Sequence, residues 1–195
     1  MILPYPQYVF FKPFLQEDAY ENLERYVFSN EINWIWRDGS LHPTYYNKDS
    51  GVHQHDSYAW YHFAYHKEYG NIQENVHDAW KPLINEIQSK FNCDILRINL
   101  NCHTNQNKKI ITAPHYDVGS ERGLWVPDQN ASSIILNFTN CNGGTKITDV
   151  EVPSFRNSAI LFSNVYEHSS IVQTDTNRRI CASILTYPKP PINSE

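Results

Sequence analysis

Closely spaced cysteines are missing from this chain. Its four cysteines stand at 93, 102, 141 and 181, with no Cys-x-x-Cys pair. That spacing excludes a zinc ribbon and gives no disulfide framework, so plain thiols are expected. Long apolar runs are also missing: none approaches the roughly 20 residues that cross a bilayer. The opening Met1-Ile2-Leu3-Pro4-Tyr5-Pro6 lacks the basic region and apolar stretch of a signal peptide. No membrane association is expected, and a cytoplasmic location is. The triplets Asn130-Ala131-Ser132 and Asn137-Phe138-Thr139 then read as incidental rather than as glycosylation sites. Basic charge is in deficit: 16 Lys and Arg against 21 Asp and Glu leave a net charge of −5. Such a chain is a poor match for nucleic acid, which is not expected as a partner. Repeats, low-complexity tracts and linkers are absent, so residues 1–195 read as a single domain, with 188–195 expected as a flexible tail. What the chain does have is aromatic bulk, 13 Tyr, 9 Phe and 5 Trp, enough for a sizeable core and an aromatic-lined pocket.

The β-branched and aromatic run Tyr8-Val9-Phe10-Phe11 predicts a strand ended by Pro13. A helix is expected over 17–30, with acidic residues in its first turn and Ala19, Leu23, Tyr26 and Val27 as its apolar stripe. Residues 32–70 show no clean period and read as short strands and loops. A second helix is expected over 75–91, because Trp80, Leu83, Ile84, Ile87 and Phe91 recur at helical spacing, with Pro82 in its first turns. Beyond Asp94 the pattern becomes strands, at 95–102, 133–138, 159–162 and 179–187, with Asn142-Gly143-Gly144 as a turn signal. In the first of these, Ile95, Arg97, Asn99 and Asn101 should share one face, and Leu96, Ile98, Leu100 and Cys102 the other. Helices followed by many strands give an α+β class with a β-barrel or sandwich in the second half.

The sharpest chemical signal is His115-Tyr116-Asp117. Residues two apart in an extended chain face the same way, so an imidazole and a carboxylate at this spacing can share one metal ion. His168, a short loop after the strand Ala159-Ile160-Leu161-Phe162, is the best third ligand. Two His and one carboxylate with open positions form the facial triad of non-haem Fe(II) oxygenases. Downstream stand Arg178 and Arg179, either able to clamp a carboxylate through parallel hydrogen bonds. Alternation favours Arg179, which would point inward with Cys181, Ser183 and Leu185. Arg178 would then face out with the apolar set Ile180, Ala182 and Ile184. Two other histidine groups stand out: His53-Gln54-His55-Asp56, which resembles part of a dinuclear zinc hydrolase signature, and His62 with His66 at a helical metal spacing. The first lacks a further His after the Asp, and the second lacks a catalytic Glu. The aromatic segment around them reads instead as a lid or wall over a pocket.

His115-x-Asp117, His168 and Arg178/Arg179 together resemble the Fe(II)- and 2-oxoglutarate-dependent dioxygenase superfamily, most closely its prolyl-4-hydroxylase-like and small phage-type members. Further stretches resemble it too. They are Tyr8 to Leu15 leading into a helix, Arg97 to Asn101 before the ligand pair, Leu136-Asn137 followed by Gly143-Gly144-Thr145, and Pro153 to Phe162. The turn near Asn157 and Ser158 departs from it, since many relatives carry a glycine there. The resemblance implies a double-stranded β-helix (jelly roll) with N-terminal helices packed on the major sheet. It implies Fe(II) held by His115, Asp117 and His168, with 2-oxoglutarate and O₂ as cosubstrates. Arg179 or Arg178 would anchor the cosubstrate, and strand facing puts Asn99, Asn101 and Ser183 near it. The expected reaction is hydroxylation of a C–H bond in a peptide side chain or a small amino-acid-like metabolite, with release of succinate and CO₂. A non-enzymatic binding module on the same scaffold is the alternative, with the zinc hydrolase as a lesser one.

Overall fold

The computed structural model describes residues 8–37, 59–118 and 127–190, the side chain of Gln73 excepted. Two antiparallel sheets carry the architecture. In chain order the strands are β1 (Tyr8–Phe11), β2 (Ile35–Arg37), β3 (Ala59–His66), β4 (Cys93–Thr104), β5 (Ile110–Ile111), β6 (Ser132–Asn137), β7 (Cys141–Ile147), β8 (Val150–Ser154), β9 (Ser158–Ser163), β10 (His168–Val172) and β11 (Arg178–Pro188). The larger sheet has the order β1-β9-β6-β11-β4-β3-β2 and the smaller the order β5-β10-β7-β8. The helices are α1 (Glu17–Val27), α2 (Ile72–Asn75) and α3 (Lys81–Phe91).

Alternation along the central strands divides the interior into two cores. On one side of the larger sheet, Ile98, Leu100, Ile134, Leu136, Ile180, Ala182 and Ile184 pack against Tyr20, Leu23 and Val27 of α1 and Leu83, Ile84 and Ile87 of α3. On the other, Ile135, Ile160, Phe162 and Cys181 meet Ile147 and Val152 of the smaller sheet. The molecule is thus layered as helices, large sheet, small sheet, and strand period two sends consecutive β11 residues into different cores. Each fully buried Leu or Ile contributes roughly 1.5–3 kcal/mol of apolar transfer. Among the described residues no helix is long and apolar enough to cross a membrane. The four cysteines are unpaired.

Several local expectations are corrected. The helix expected from Asn75 begins at Lys81, with Pro82 in its first turn. A helix continued back through that proline would drive its ring into the carbonyl four residues earlier. Residues 72–75 instead form their own turn, and a 3-10 turn at Asp78–Trp80, whose Ala79 N–H donates to the His77 ring, delivers Trp80 to the core. The α1 helix stops at Val27, short of Asn30. Ile95 lies in the helix-side core with Ile98, not across from it, because the pairing with β11 skips Leu96, and one extra residue reverses the facing. Asn142-Gly143-Gly144 is an irregularity inside β7, not a turn between strands. A Cβ on Gly143 would meet the Ile171 carbonyl oxygen at 2.7 Å, and one on Gly144 the Val152 carbonyl oxygen at 2.2 Å, so close backbone approach requires glycine at both. At the C-terminal end Pro188 still belongs to β11, and the Lys189 N–H donates to the Asn92 carbonyl.

Asn157 explains the missing glycine in the turn before β9. It adopts the left-handed conformation (φ 54°) that glycine tolerates and asparagine enters more readily than most residues. Its side chain then does what glycine cannot. The amide oxygen accepts from the Leu15 N–H at 3.0 Å and the Phe14 N–H at 3.3 Å, while the amide nitrogen donates to the Leu15 carbonyl at 2.9 Å. These bonds tie the chain entering α1 to the large sheet. Asn157→Ala is expected to lower unfolding free energy by about 2–3 kcal/mol in urea titrations. Asn157→Gly should recover only the backbone share, about 1 kcal/mol.

Candidate metal centre

His115 lies just outside the regular strands but is locked to His168 at the start of β10. Each residue's N–H donates to the other's carbonyl at 3.0 Å. Asp117 follows on the same stretch. The buried Asn164 grips its backbone: the amide oxygen accepts from the Asp117 N–H at 2.9 Å, and the amide nitrogen donates to the Val118 carbonyl at 2.8 Å. Main-chain bonds therefore set the spacing of all three side chains. One ligand atom from each of His115, Asp117 and His168 lies within 4.8 Å of the others.

The polarity of each group follows from its contacts. The Nδ1 of His115 lies 3.1 Å from the Ala113 carbonyl, which can only accept, so Nδ1–H donates there and Nε2 is the ring nitrogen left for another partner. The Nε2 of His168 stands 3.7 Å from Asp117 Oδ2, and the edge of Phe162 covers its ring. Burial and the neighbouring His115 push His168 down to about 4 against the pull of Asp117, so it is neutral at physiological pH. Burial opposes ionisation of Asp117, but His168, Arg97, His115 and the Ser133 hydroxyl outweigh it and hold the carboxyl below its ordinary range. Arg97 Nη2 donates to Asp117 Oδ1 at 3.1 Å, and the Ser133 hydroxyl donates to Oδ2. Two imidazoles and one carboxylate form the N,N,O donor set that suits a first-row divalent ion with open positions.

Further along the same inner face the two sheets enclose a set of buried polar groups, a polar chamber in that sense. Arg179 is fully buried there. Its Nη2 makes two long hydrogen bonds, one to each sheet: 3.3 Å to Asn137 Oδ1 and 3.4 Å to Thr145 Oγ1. Its Nε and Nη1 have no partner among the described residues. Directly opposite on β4 is His103, buried, with both ring nitrogens equally unpartnered. The next inward pair but one, Ser183 and Asn99, presents an unpartnered hydroxyl and amide oxygen, and Gln173 adds another amide oxygen. A buried cation with unused donors costs several kcal/mol unless an anion completes it. The donors therefore fit a carboxylate. Arg178, in contrast, is exposed and lies over the Phe28 ring, 5.0 Å from its centre.

Sequence reasoning passed over several of these residues. Strand facing puts Arg97 on one face with Asn99 and Asn101 but gives it no role there, and His103 continues the alternation one step further, so extending that pattern would have singled it out. Ser133, Asn137, Asn164 and Gln173 carry no local signal. His53, His55 and Asp56 lie outside the described residues. His62 and His66 are on strand β3, not on a helix, so the i, i+4 metal geometry is not formed. Their Nδ1 atoms instead meet the Asn33 carbonyl and the Glu68 N–H. Tyr61 and Phe63 of the same strand are paired with Asn101 and Asn99, on the inner face.

Neither a family model nor a characterised protein sequence matches the chain. Solved structures do. The viral collagen prolyl hydroxylase vCPH from Paramecium Bursaria Chlorella virus-1, in its 2-oxoglutarate complex, superposes with a TM-score of 0.57 at 10% identity, covering 97% of this chain and 100% of that one. A prolyl-4-hydroxylase from Pseudomonas putida gives 0.57 at 11% identity, over 95% and 94%. The non-haem α-ketoglutarate-dependent epimerase SnoN from nogalamycin biosynthesis gives 0.58 at 14% identity, over 94% and 79%. The chain thus has the fold of 2-oxoglutarate-dependent oxygenases.

The buried histidines make stability depend on pH. Burial and the charge of Arg179 push His103 down to about 3, and His168 sits at about 4. The unfolded chain takes up a proton at each near pH 6.5, while the folded chain holds both neutral. Stability is therefore full above about pH 7 and falls as pH drops toward 4, by up to about 1.4 kcal/mol per pH unit for each histidine. Urea titrations of the metal-free protein between pH 7.5 and 5 should show this slope, and His103→Gln should remove about half of it.

Proposed function

We propose that the protein is an Fe(II)- and 2-oxoglutarate-dependent dioxygenase that hydroxylates a C–H bond of a peptide side chain or small amino-acid-like metabolite. The observation that carries this reading is the convergence of His115, Asp117 and His168, one ligand atom of each within 4.8 Å of the others, together with a buried Arg179 that has no counter-ion among the described residues. The two sheets form, on this reading, the double-stranded β-helix of the class, with α1 and α3 on its major sheet and residues 1–195 as one domain. The likeness to the 2-oxoglutarate complex of vCPH supports it. Prolyl hydroxylases and an antibiotic-pathway epimerase both stand among the neighbours, which keeps peptide and small-molecule substrates together in the proposal. Four unpaired thiols suit a reducing, cytoplasmic setting.

The residues divide the work. His115 and His168, with the Asp117 carboxylate, would hold the ferrous ion. Bound there with O₂ and the keto acid, iron would supply the oxidising power for C–H hydroxylation, with release of succinate and CO₂. Arg179 and Thr145 bind the far carboxylate of 2-oxoglutarate. Ser183, Asn99 and His103 line the same chamber and offer it further hydrogen bonds. Asn164 and Ala113 fix the orientation of the ligands, and Phe162 keeps water from the inner side of His168.

Succinate formation that requires both Fe(II) and 2-oxoglutarate is expected from the purified protein, with product mass rising by one oxygen on a substrate panel of peptides, amino acids and small metabolites. The double variant His115→Ala/Asp117→Ala should lose stoichiometric Fe(II) binding in equilibrium dialysis. Retained binding would overturn the assignment. Arg179→Met should raise the KM for 2-oxoglutarate about a hundredfold, the scale of two lost charge-assisted hydrogen bonds.

A further inference from the structure

Arg97 adds a permanent positive charge to the metal centre itself, distinct from the chamber around Arg179. Its Nη2 holds Asp117 Oδ1 at 3.1 Å, and the same nitrogen lies 3.5 Å from the Asp117 carbonyl. Its Nε is buried and has no partner among the described residues. In a guanidinium, Nε–H and one Nη2–H form a rigid planar fork. An acceptor that reaches Nε therefore sits beside the Asp117 carboxylate. Asp117 Oδ1 is thus already ion-paired with Arg97 before any ion arrives. A divalent ion alone would enter against an adjacent guanidinium. A carboxylate that arrives with it relieves that repulsion and fills the idle Nε–H.

We infer that Arg97 couples metal binding to carboxylate binding: it positions Asp117 with one nitrogen and takes the metal-bound acid group of the ligand with the other. The inference rests on the metal-centre reading above and deepens it. Arg97 acts on the metal through Asp117, as a positioning residue, and on the ligand directly.

The test uses the full chain and Mn(II), which binds N,N,O sites without turning over. Calorimetric titration gives the Mn(II) Kd without and with saturating 2-oxoglutarate, and the ratio measures the coupling. The wild-type ratio should be on the order of ten- to a hundredfold, the usual range for coupled sites. Arg97→Met should bring it to about twofold or less. Arg97→Lys should also lose most of it, because one ammonium cannot hold two acceptors in a fixed fork. If the methionine variant does not fold, the lysine variant decides alone. A ratio unchanged in the variants, or near one in the wild type, overturns the role of Arg97 and leaves the metal centre standing. Failure of the wild-type protein to bind Mn(II) under either condition would instead sink the metal centre, and this inference with it.

Discussion

Strand β11 runs through the middle of the larger sheet, paired along one edge with β4 and along the other with β6. Its period of two imposes a division that the rest of the molecule obeys. Ile180, Ala182 and Ile184 must face the helices, and Arg179, Cys181 and Ser183 must face the smaller sheet. A slip by one residue would bury Arg178 among leucines and expose the apolar row to the chamber, which makes the register strongly specified. The same register sets His103 against Arg179 and Asn99 against Ser183, so the polar lining of the chamber follows from how the strand packs on the helices.

The inner face is energetically incomplete to a degree that the outer one, where Trp80 Nε1 is unpartnered, is not. Helix-side residues are apolar and close-packed, whereas the chamber keeps a guanidinium, an imidazole, two amides and a hydroxyl with unused hydrogen-bonding capacity. Natural interiors seldom leave such groups unsatisfied, and those that do so cluster where a ligand completes them. The candidate metal centre shows the complementary pattern. Its three donor residues are held by backbone pairs, by Asn164 and by the Ala113 carbonyl, so the donor set is organised in advance. A rigid donor set beside an unsatisfied cationic chamber is the arrangement expected of a site that takes a metal ion and an acid together.

Much of this was legible from residues alone. The strand pattern, the approach of His115 to Asp117 and the inward facing of Arg179 rather than Arg178 all follow from side chains two apart sharing a face, a local rule that needs no knowledge of the fold. Where the reading went astray, a local exception was at work. Pro82 moved the start of a helix, an extra residue at Leu96 reversed Ile95, and two glycines marked close strand contact in place of a turn. Asn157 hid a glycine-like turn behind a side chain that spends its polarity on residues far away in the chain.

The sequence by itself determined which residues could serve as metal donors and which strand faces were polar, because residue chemistry and strand period are both written locally. Only the tertiary structure decided that His168 pairs with His115, that Arg97 and Ser133 reach Asp117 from neighbouring strands, and that Asn164 grips its backbone. Those contacts join residues far apart in the chain, and no periodicity encodes them; they exist because two sheets close on each other and leave polar groups few other partners.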